Sequence, residues 1–190
     1  MLLQRTVAHP LRDILRRVGN DLEVGQDLHA KRISDSSVAT VDFSGASDSN
    51  ATEAIVKMFP AGLTRYLLRY RDPYVLIGEG KARAYYPPKK LSSMGCGFTF
   101  EVMTMLLLAI ARVLDPQATV YGDDVIIKND AAAAFTKVMG ELMWNVNETK
   151  TFINSPFRES CGAFYLDGYG YITCFDIHYI ENVNDVIVTA

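Results

Sequence analysis

Apolar residues recur along this chain at two periods, and each period predicts an element. Leu11, Ile14, Leu15 and Val18 repeat at helical spacing after Pro10, which suits a first helical turn, and Gly19 supplies a stop. The stretch 20–37 is polar and mixed, which predicts a short helix and loop. Val38-Ala-Thr-Val-Asp-Phe43 is β-rich and runs into the turn and cap cluster Ser44-Gly-Ala-Ser-Asp-Ser49, so Asp42 ends a strand. Ala51, Ala54, Ile55 and Met58 predict the buried face of a helix that reaches Pro60. Leu63, Tyr66, Leu67 and Tyr70 predict another before Pro73.

Further along, 74–77 and 82–86 bracket Gly78-Glu-Gly80 as a β-hairpin, and the small-residue loop Ser92-Ser-Met-Gly-Cys-Gly97 leads into an apolar helix over 98–114. Asp130 is expected to cap a helix that buries Phe135, Val138, Met139 and Leu142. A β segment is expected around Lys150-Thr-Phe-Ile153. From Phe157 onward, aromatic β runs turn at Asp167-Gly-Tyr-Gly170.

Between these elements lies Thr119-Val-Tyr-Gly-Asp-Asp-Val-Ile-Ile127, two apolar β runs around a glycine and two acids. Side chains alternate faces along a strand, so consecutive aspartates serve one site only if the backbone turns there, and Gly122 permits that turn. A solvated turn would carry the same tripeptide. Here, however, Val120, Val125, Ile126 and Ile127 press the acids against a core, and that calls for a counter-charge. Two-metal phosphoryl transfer needs such hard oxygen ligands, and Asp42 is the candidate third carboxylate. By spacing alone Asp48 reads as a helix cap or first-turn acid, and Arg12, Arg16 and Arg17 read as a solvated helix face.

Composition narrows the class. With 190 residues and 49% hydrophobic content the chain forms one globular unit. Its longest apolar run, Val102 to Ala111, lies between Glu101 and Arg112 and is too short to span a bilayer, so no membrane partner is expected. A net charge of -3 argues against simple electrostatic capture of nucleic acid, although Lys81, Arg83, Lys89 and Lys90 gather in one cluster. The 3 cysteines are widely spaced, and no basic-then-apolar leader is visible, so a reducing compartment is expected. His9, His29 and His178 lack zinc-ligand spacing. The apolar ending at Ala190 suggests a chain cut from a longer one.

Five segments stand in the order of the palm motifs A to E of viral RNA polymerases: Asp42-Phe-Ser-Gly-Ala-Ser-Asp48, Ser92-Ser-Met-Gly-Cys-Gly-Phe-Thr-Phe-Glu101, Tyr121-Gly-Asp-Asp124, Asn147-Glu-Thr-Lys-Thr-Phe152 and Phe157-Arg-Glu-Ser-Cys-Gly162. From about Val7 onward the chain closely resembles the replicase β subunit of single-stranded RNA bacteriophages. The resemblance implies an α+β fold: a polymerase palm, an antiparallel sheet backed by helices, with partial fingers and no thumb. Residues 1–37 would be fingers-side helices, 38–162 the palm motifs, and 163–190 the start of the region leading to the thumb.

The same resemblance implies template-directed RNA synthesis from ribonucleoside triphosphates by an RNA-directed RNA polymerase that replicates a viral genome. Two Mg2+ ions, with Mn2+ as a substitute, would be held by Asp42, Asp123 and Asp124, and Lys150 would protonate the leaving pyrophosphate. Asp48 would sense the ribose 2'-hydroxyl, with Ser93, Gly95 and Thr99 also at the nucleotide. Arg158 would lie on the primer side, and Lys81, Arg83, Lys89 and Lys90 near RNA. Met103 and Cys96 depart from the pattern where an asparagine is expected, so the resemblance supplies no ribose-sensing partner for Asp48. RNA template and product would be bound in the cytoplasm of an infected bacterium, in a holoenzyme with host translation elongation factors and a ribosomal protein. The isolated chain is expected to be inactive. A reverse transcriptase-like palm and an inert RNA-binding fragment are the alternative readings.

Overall fold

The structure, a computed structural model, describes residues 2–79, 83–92 and 95–173. Its centre is an antiparallel sheet of β1 (Val38–Val41), β6 (Asp124–Lys128) and β5 (Thr119–Tyr121), in the order β1-β6-β5. Val41 pairs with Val125, and Tyr121 with Asp124. Both faces of this sheet are covered, which explains why 38–41 and 125–127 show no regular apolar–polar alternation. Ala39, Val41, Val125 and Ile127 join the main core, where α5 (Thr99–Leu114) and α6 (Asn129–Glu141) pack. Val38 and Ile126 form a second cluster with Ile33, against Ala163 and Tyr165.

Those last two residues belong to a further antiparallel sheet, β8 (Phe157–Ser160), β9 (Ala163–Leu166) and β10 (Gly170–Ile172), whose first strand packs on β1 and β6. On the periphery, β2 (Phe43–Ser44) pairs with β7 (Asn145–Val146), and β3 (Val75–Ile77) with β4 (Ala84–Tyr86). Helix α2 (Gly25–Arg32) packs on β5 and β9, while α1 (Leu2–Arg17) lies against α5 and α4 (Ala61–Tyr70). With α3 (Thr52–Met58), the arrangement is α+β. Among the described residues, no helix is long and apolar enough to cross a membrane.

Several elements differ from the sequence expectation. Helix α1 starts at Leu2, so Pro10 sits inside it rather than in its first turn. The buried stripe is Val7, Leu11 and Leu15, with Ile14 and Val18 turned outward, and packing of that stripe on α5 offsets the proline's cost to the helix. In α3 only Ile55 is fully buried, and in α4 Leu67 with Thr64; Met58 and Tyr66 are exposed, because these short helices meet the core along one edge. Helix α6 buries Ala132, Phe135 and Met139 but leaves Val138 and Leu142 out, and Asp130 lies in its first turn rather than capping it. The expected strand near 150–153 reduces to a single bridge between Thr40 and Phe152.

Asn20 is a residue that periodicity passes over. Buried after α1, its side chain donates to the Val120 carbonyl at 2.8 Å and accepts from the Val120 N–H at 3.0 Å. It thus stands in for a missing neighbour strand at the edge of β5. Asn20→Leu should lower stability by about 2–4 kcal/mol, because two buried backbone groups lose their partners together. Urea denaturation followed by far-ultraviolet dichroism checks it, and a loss under about 0.5 kcal/mol, the size of an ordinary surface substitution, would contradict it.

His29 of α2 makes a similar tie, with Nδ1 2.8 Å from the Ser160 hydroxyl of β8. Burial first, then the nearby Arg32 charge, hold its pKa down at about 3. The folded chain therefore binds fewer protons than the unfolded chain between an ordinary histidine value and about 3. His29 contributes fully above that ordinary value, and its contribution falls as pH drops through the window, by up to about 1.4 kcal/mol per pH unit. Denaturation of parent and His29→Met at pH 7, 5 and 4 should show the difference swinging toward the variant in acid. A constant difference would contradict the assignment.

Candidate active site

The β5–β6 hairpin closes through two residues, Gly122 and Asp123, with Gly122 at φ 66°. A positive φ at the first loop position favours glycine. Here a second requirement is added, since a methyl group on Gly122 would overlap the Phe100 ring of α5. The Gly122 N–H donates to the Thr104 hydroxyl at 3.0 Å, and that hydroxyl donates to the Phe100 carbonyl at 2.8 Å. Helix α5 thereby fixes the tip that carries Asp123, and Asp124 opens β6.

Asp42 joins β1 to β2 at the same end of the sheet, one residue past the Val41–Val125 pair. Its backbone is clasped from the 147–151 turn. The Asn147 N–H donates to the Asp42 carbonyl at 2.9 Å, and the Asp42 N–H donates to the Thr151 hydroxyl at 3.2 Å. As a result Asp42, Asp123, Asp124 and Lys150 line one cleft of about 390 Å³, with Glu159 and Thr149.

Electrostatics show what this convergence costs. Burial, and then the Asp123 charge, push the Asp42 pKa up, while Lys150 and a hydrogen bond from Asn147 oppose the rise. Asp124 is pushed up to about 6, mainly by burial, with Glu159 and Asp123 adding to it. The Cys161 N–H donates to Asp124 Oδ2 at 3.1 Å and offsets part of that cost. Glu159 is raised by burial and by Asp42, against the Gly162 N–H and Lys150. Burial and the Asp124 charge push the Cys161 thiol up to about 12, so it is no nucleophile near neutral pH.

Such a set of hard oxygen donors, short of positive charge, suits a divalent cation. Among the described residues, no three His, Cys, Asp or Glu side chains are gathered closely enough to cage an ion by themselves. Mg2+ does not need such a cage, because it is commonly held by one or two carboxylates together with water and substrate phosphates. Asp42 and Asp123, facing one cleft, fit that mode. Glu159 is the acid that motif reading passed over. Its signal in the sequence is its place inside the Phe157-Arg-Glu-Ser-Cys-Gly162 segment, next to Arg158.

Asp123 also lines a second cleft of about 350 Å³, with Ser47, Gly95, Cys96, Thr99 and Met103. Gly95 (φ 91°) and Thr99, at the start of α5, therefore share with Asp123 a cleft that Lys150 does not line. Asp48, in the short turn after β2, is exposed and forms an ion pair with Lys90. Arg83 and Lys89 are exposed near β4, whereas Lys81 and Ser93 lie outside the described residues.

Arg158 corrects the expectation placed on it. Only 1% of its side chain is exposed. Its guanidinium donates to the Ile33 carbonyl at 2.6 Å and the Ser155 carbonyl at 2.9 Å, pairs with Asp167, and lies 5.5 Å from the centre of the Tyr165 ring. Those contacts fasten β8 and β9 to the turn after α2, and leave no open face for a primer. Arg12 is exposed, as a solvated helix face requires, and also meets the buried Glu101 at 2.7 Å.

Comparison with known proteins bears on this geometry. The family model described as RNA replicase, beta-chain matches residues 1–189. The RNA-directed RNA polymerase subunit beta of Escherichia virus Qbeta is 35% identical across 99% of this chain, which covers 33% of that protein. The RNA-directed RNA polymerase beta chains of Enterobacteria phage GA and Escherichia phage MS2 are 34% and 33% identical over 87% and 88% of the chain, covering 32% of each. The chain thus spans about a third of the length of the curated relatives it matches.

The two demands on Gly122 can be separated by experiment. Gly122→Ala meets both the positive φ and the Phe100 ring, and should cost about 2–4 kcal/mol. Gly162→Ala, at φ 77° with open space around it, meets only the first and should cost about 1 kcal/mol. Chemical denaturation of both variants reads the difference, and equal losses would contradict a steric role for Phe100.

Proposed function

Because the chain belongs to the RNA replicase β-chain family, we propose that it carries the palm and catalytic centre of an RNA-directed RNA polymerase that copies a viral RNA genome from ribonucleoside triphosphates. The observation that carries this reading is the position of Asp123, which lies between two clefts. One holds Asp42, Asp124 and Lys150; the other holds Gly95, Cys96 and Thr99. A nucleotide lying across Asp123 would have its phosphates on the first side and its sugar toward the second.

In this reading Asp42 and Asp123 hold Mg2+, and Asp124 supports them from its place against the Cys161 N–H. When bound, the ions supply Lewis-acid activation of the 3'-hydroxyl and charge neutralisation at the phosphates. The chain's own groups do the rest. The 147–151 turn fixes Asp42, α5 fixes Asp123 through Gly122, and Lys150 stands in the cleft as a donor toward a departing pyrophosphate. Glu159 adds a fourth carboxylate to the cleft, so Lys150 alone does not balance the acids and a divalent cation completes the charge. Asp48 accepts a hydrogen bond from the ribose 2'-hydroxyl, the one group that separates ribo- from deoxyribonucleotides.

The substrates required are an RNA template, its product and ribonucleoside triphosphates. The wider setting is an infected bacterium, with host translation elongation factors and a ribosomal protein in the holoenzyme.

Asp123→Asn in the complete polymerase should reduce primed RNA synthesis by about 1000-fold or more, since it deletes a ligand charge and almost no volume. Urea denaturation should show stability near that of the parent. Activity within tenfold of the parent in Mg2+ (on the order of one lost hydrogen bond) would contradict the assignment. Parallel assays with deoxyribonucleotides separate this reading from a reverse transcriptase.

A further inference from the structure

The ribose-reading position has an acid but not the amide expected beside it. Cys96 and Met103 occupy the places where an asparagine would stand, and both line the cleft that Asp123 shares. A thiol donates weakly and a thioether not at all. A hydroxyl is both donor and acceptor, so an acid alone reads only half of it. The other half needs a donor held next to Asp48.

Lys90 is held there. Its segment is fastened to the turn that follows Asp48: the Thr52 N–H donates to the Lys89 carbonyl and the Leu91 N–H to the Asn50 carbonyl, both at 2.8 Å, with Ala51 opposite Lys90. Arg71 reinforces the junction, donating to the Thr52 hydroxyl at 2.9 Å and the Lys90 carbonyl at 3.4 Å. Leu91 anchors the next position in the core. The ammonium then meets Asp48 Oδ1. Lys90 also lines a cavity of about 270 Å³ whose wall includes Cys96, a residue that lines the Asp123 cleft as well.

An ion pair this exposed adds little to stability, with Lys90 at 30% and Asp48 at 67% side-chain exposure. The backbone around Lys90, in contrast, is held by hydrogen bonds to Asn50, Thr52 and Arg71. We propose that Lys90 is the specificity partner of Asp48, donating to the 2'-oxygen of the incoming ribonucleotide while Asp48 accepts its hydrogen. This rests on the reading of Asp48 given above and extends it. It also separates Lys90 from Arg83 and Lys89, which are exposed and suit contact with an RNA backbone.

The test measures kcat/KM for a ribonucleotide and the matching deoxyribonucleotide in the complete polymerase, for the parent, Lys90→Met, Lys90→Arg, Asp48→Ala and the double variant Asp48→Ala/Lys90→Met. Lys90→Met should lower the ribonucleotide value about tenfold or more and leave the deoxyribonucleotide value within about twofold, because only the former offers the 2'-hydroxyl. Lys90→Arg should restore part of the ratio, and the double variant should lose little beyond Asp48→Ala, since the two read one group. If Asp48→Ala loses discrimination and Lys90→Met keeps it, this inference fails and the reading of Asp48 stands. If Asp48→Ala itself keeps discrimination, the reading of Asp48 fails and this inference with it. Equal falls for both nucleotides in Lys90→Met, repeated in Lys90→Gln, would mark a structural role and overturn it.

Discussion

Antiparallel pairing of β1 with β6, in the register that sets Val41 against Val125, is the constraint on which the rest depends. It brings the end of one strand beside the start of another, so Asp42 arrives where the Gly122 turn delivers Asp123 and Asp124. A slip of one residue would send the apolar side chains of β1 to the wrong faces and remove Asp42 from the cleft together. Because β1 and β6 are buried on both sides, that slip would be expensive twice over. Core packing therefore sets the geometry of the acidic cleft as well as the stability.

The surrounding structure answers the electrostatic cost of that geometry. Burial, with neighbouring carboxylate charge adding to it, raises the pKa of Asp42 and Asp124. Backbone N–H groups from Cys161 and Gly162, the Asn147 side chain and the Lys150 charge offset part of it. The β8–β9 hairpin is consequently more than a second sheet. Its turn residues stabilise Asp124 and Glu159, and the buried Arg158 fastens the hairpin to the body of the protein.

Much of this was legible in the sequence because it rests on local patterns. The Gly-Asp-Asp hairpin, the strand ending at Asp42, the helix 99–114 and the aromatic hairpins all follow from turn chemistry and apolar periodicity. What escaped depends on contacts between distant residues. Nothing near Pro10 announces that burial of Val7 extends the helix through it, and nothing near Asn20 announces an edge strand one hundred residues away. Arg158 was expected on the primer side, and only its contacts with Ile33, Ser155 and Asp167 reveal it as a buried fastening. The pairing of Lys90 with Asp48 is of the same kind, since it depends on the 89–91 segment docking along 50–52.

The central claim is that Asp42 and Asp123, from two strand ends, share a divalent cation. Anomalous scattering from crystals of the complete polymerase soaked in Mn2+ tests it most directly, because it locates the ion without reference to activity. The account predicts a peak within coordination distance, about 2.0–2.3 Å, of carboxylate oxygens from both residues. A peak on one of them alone, or Mn2+ bound only elsewhere while this cleft stays accessible, would contradict it.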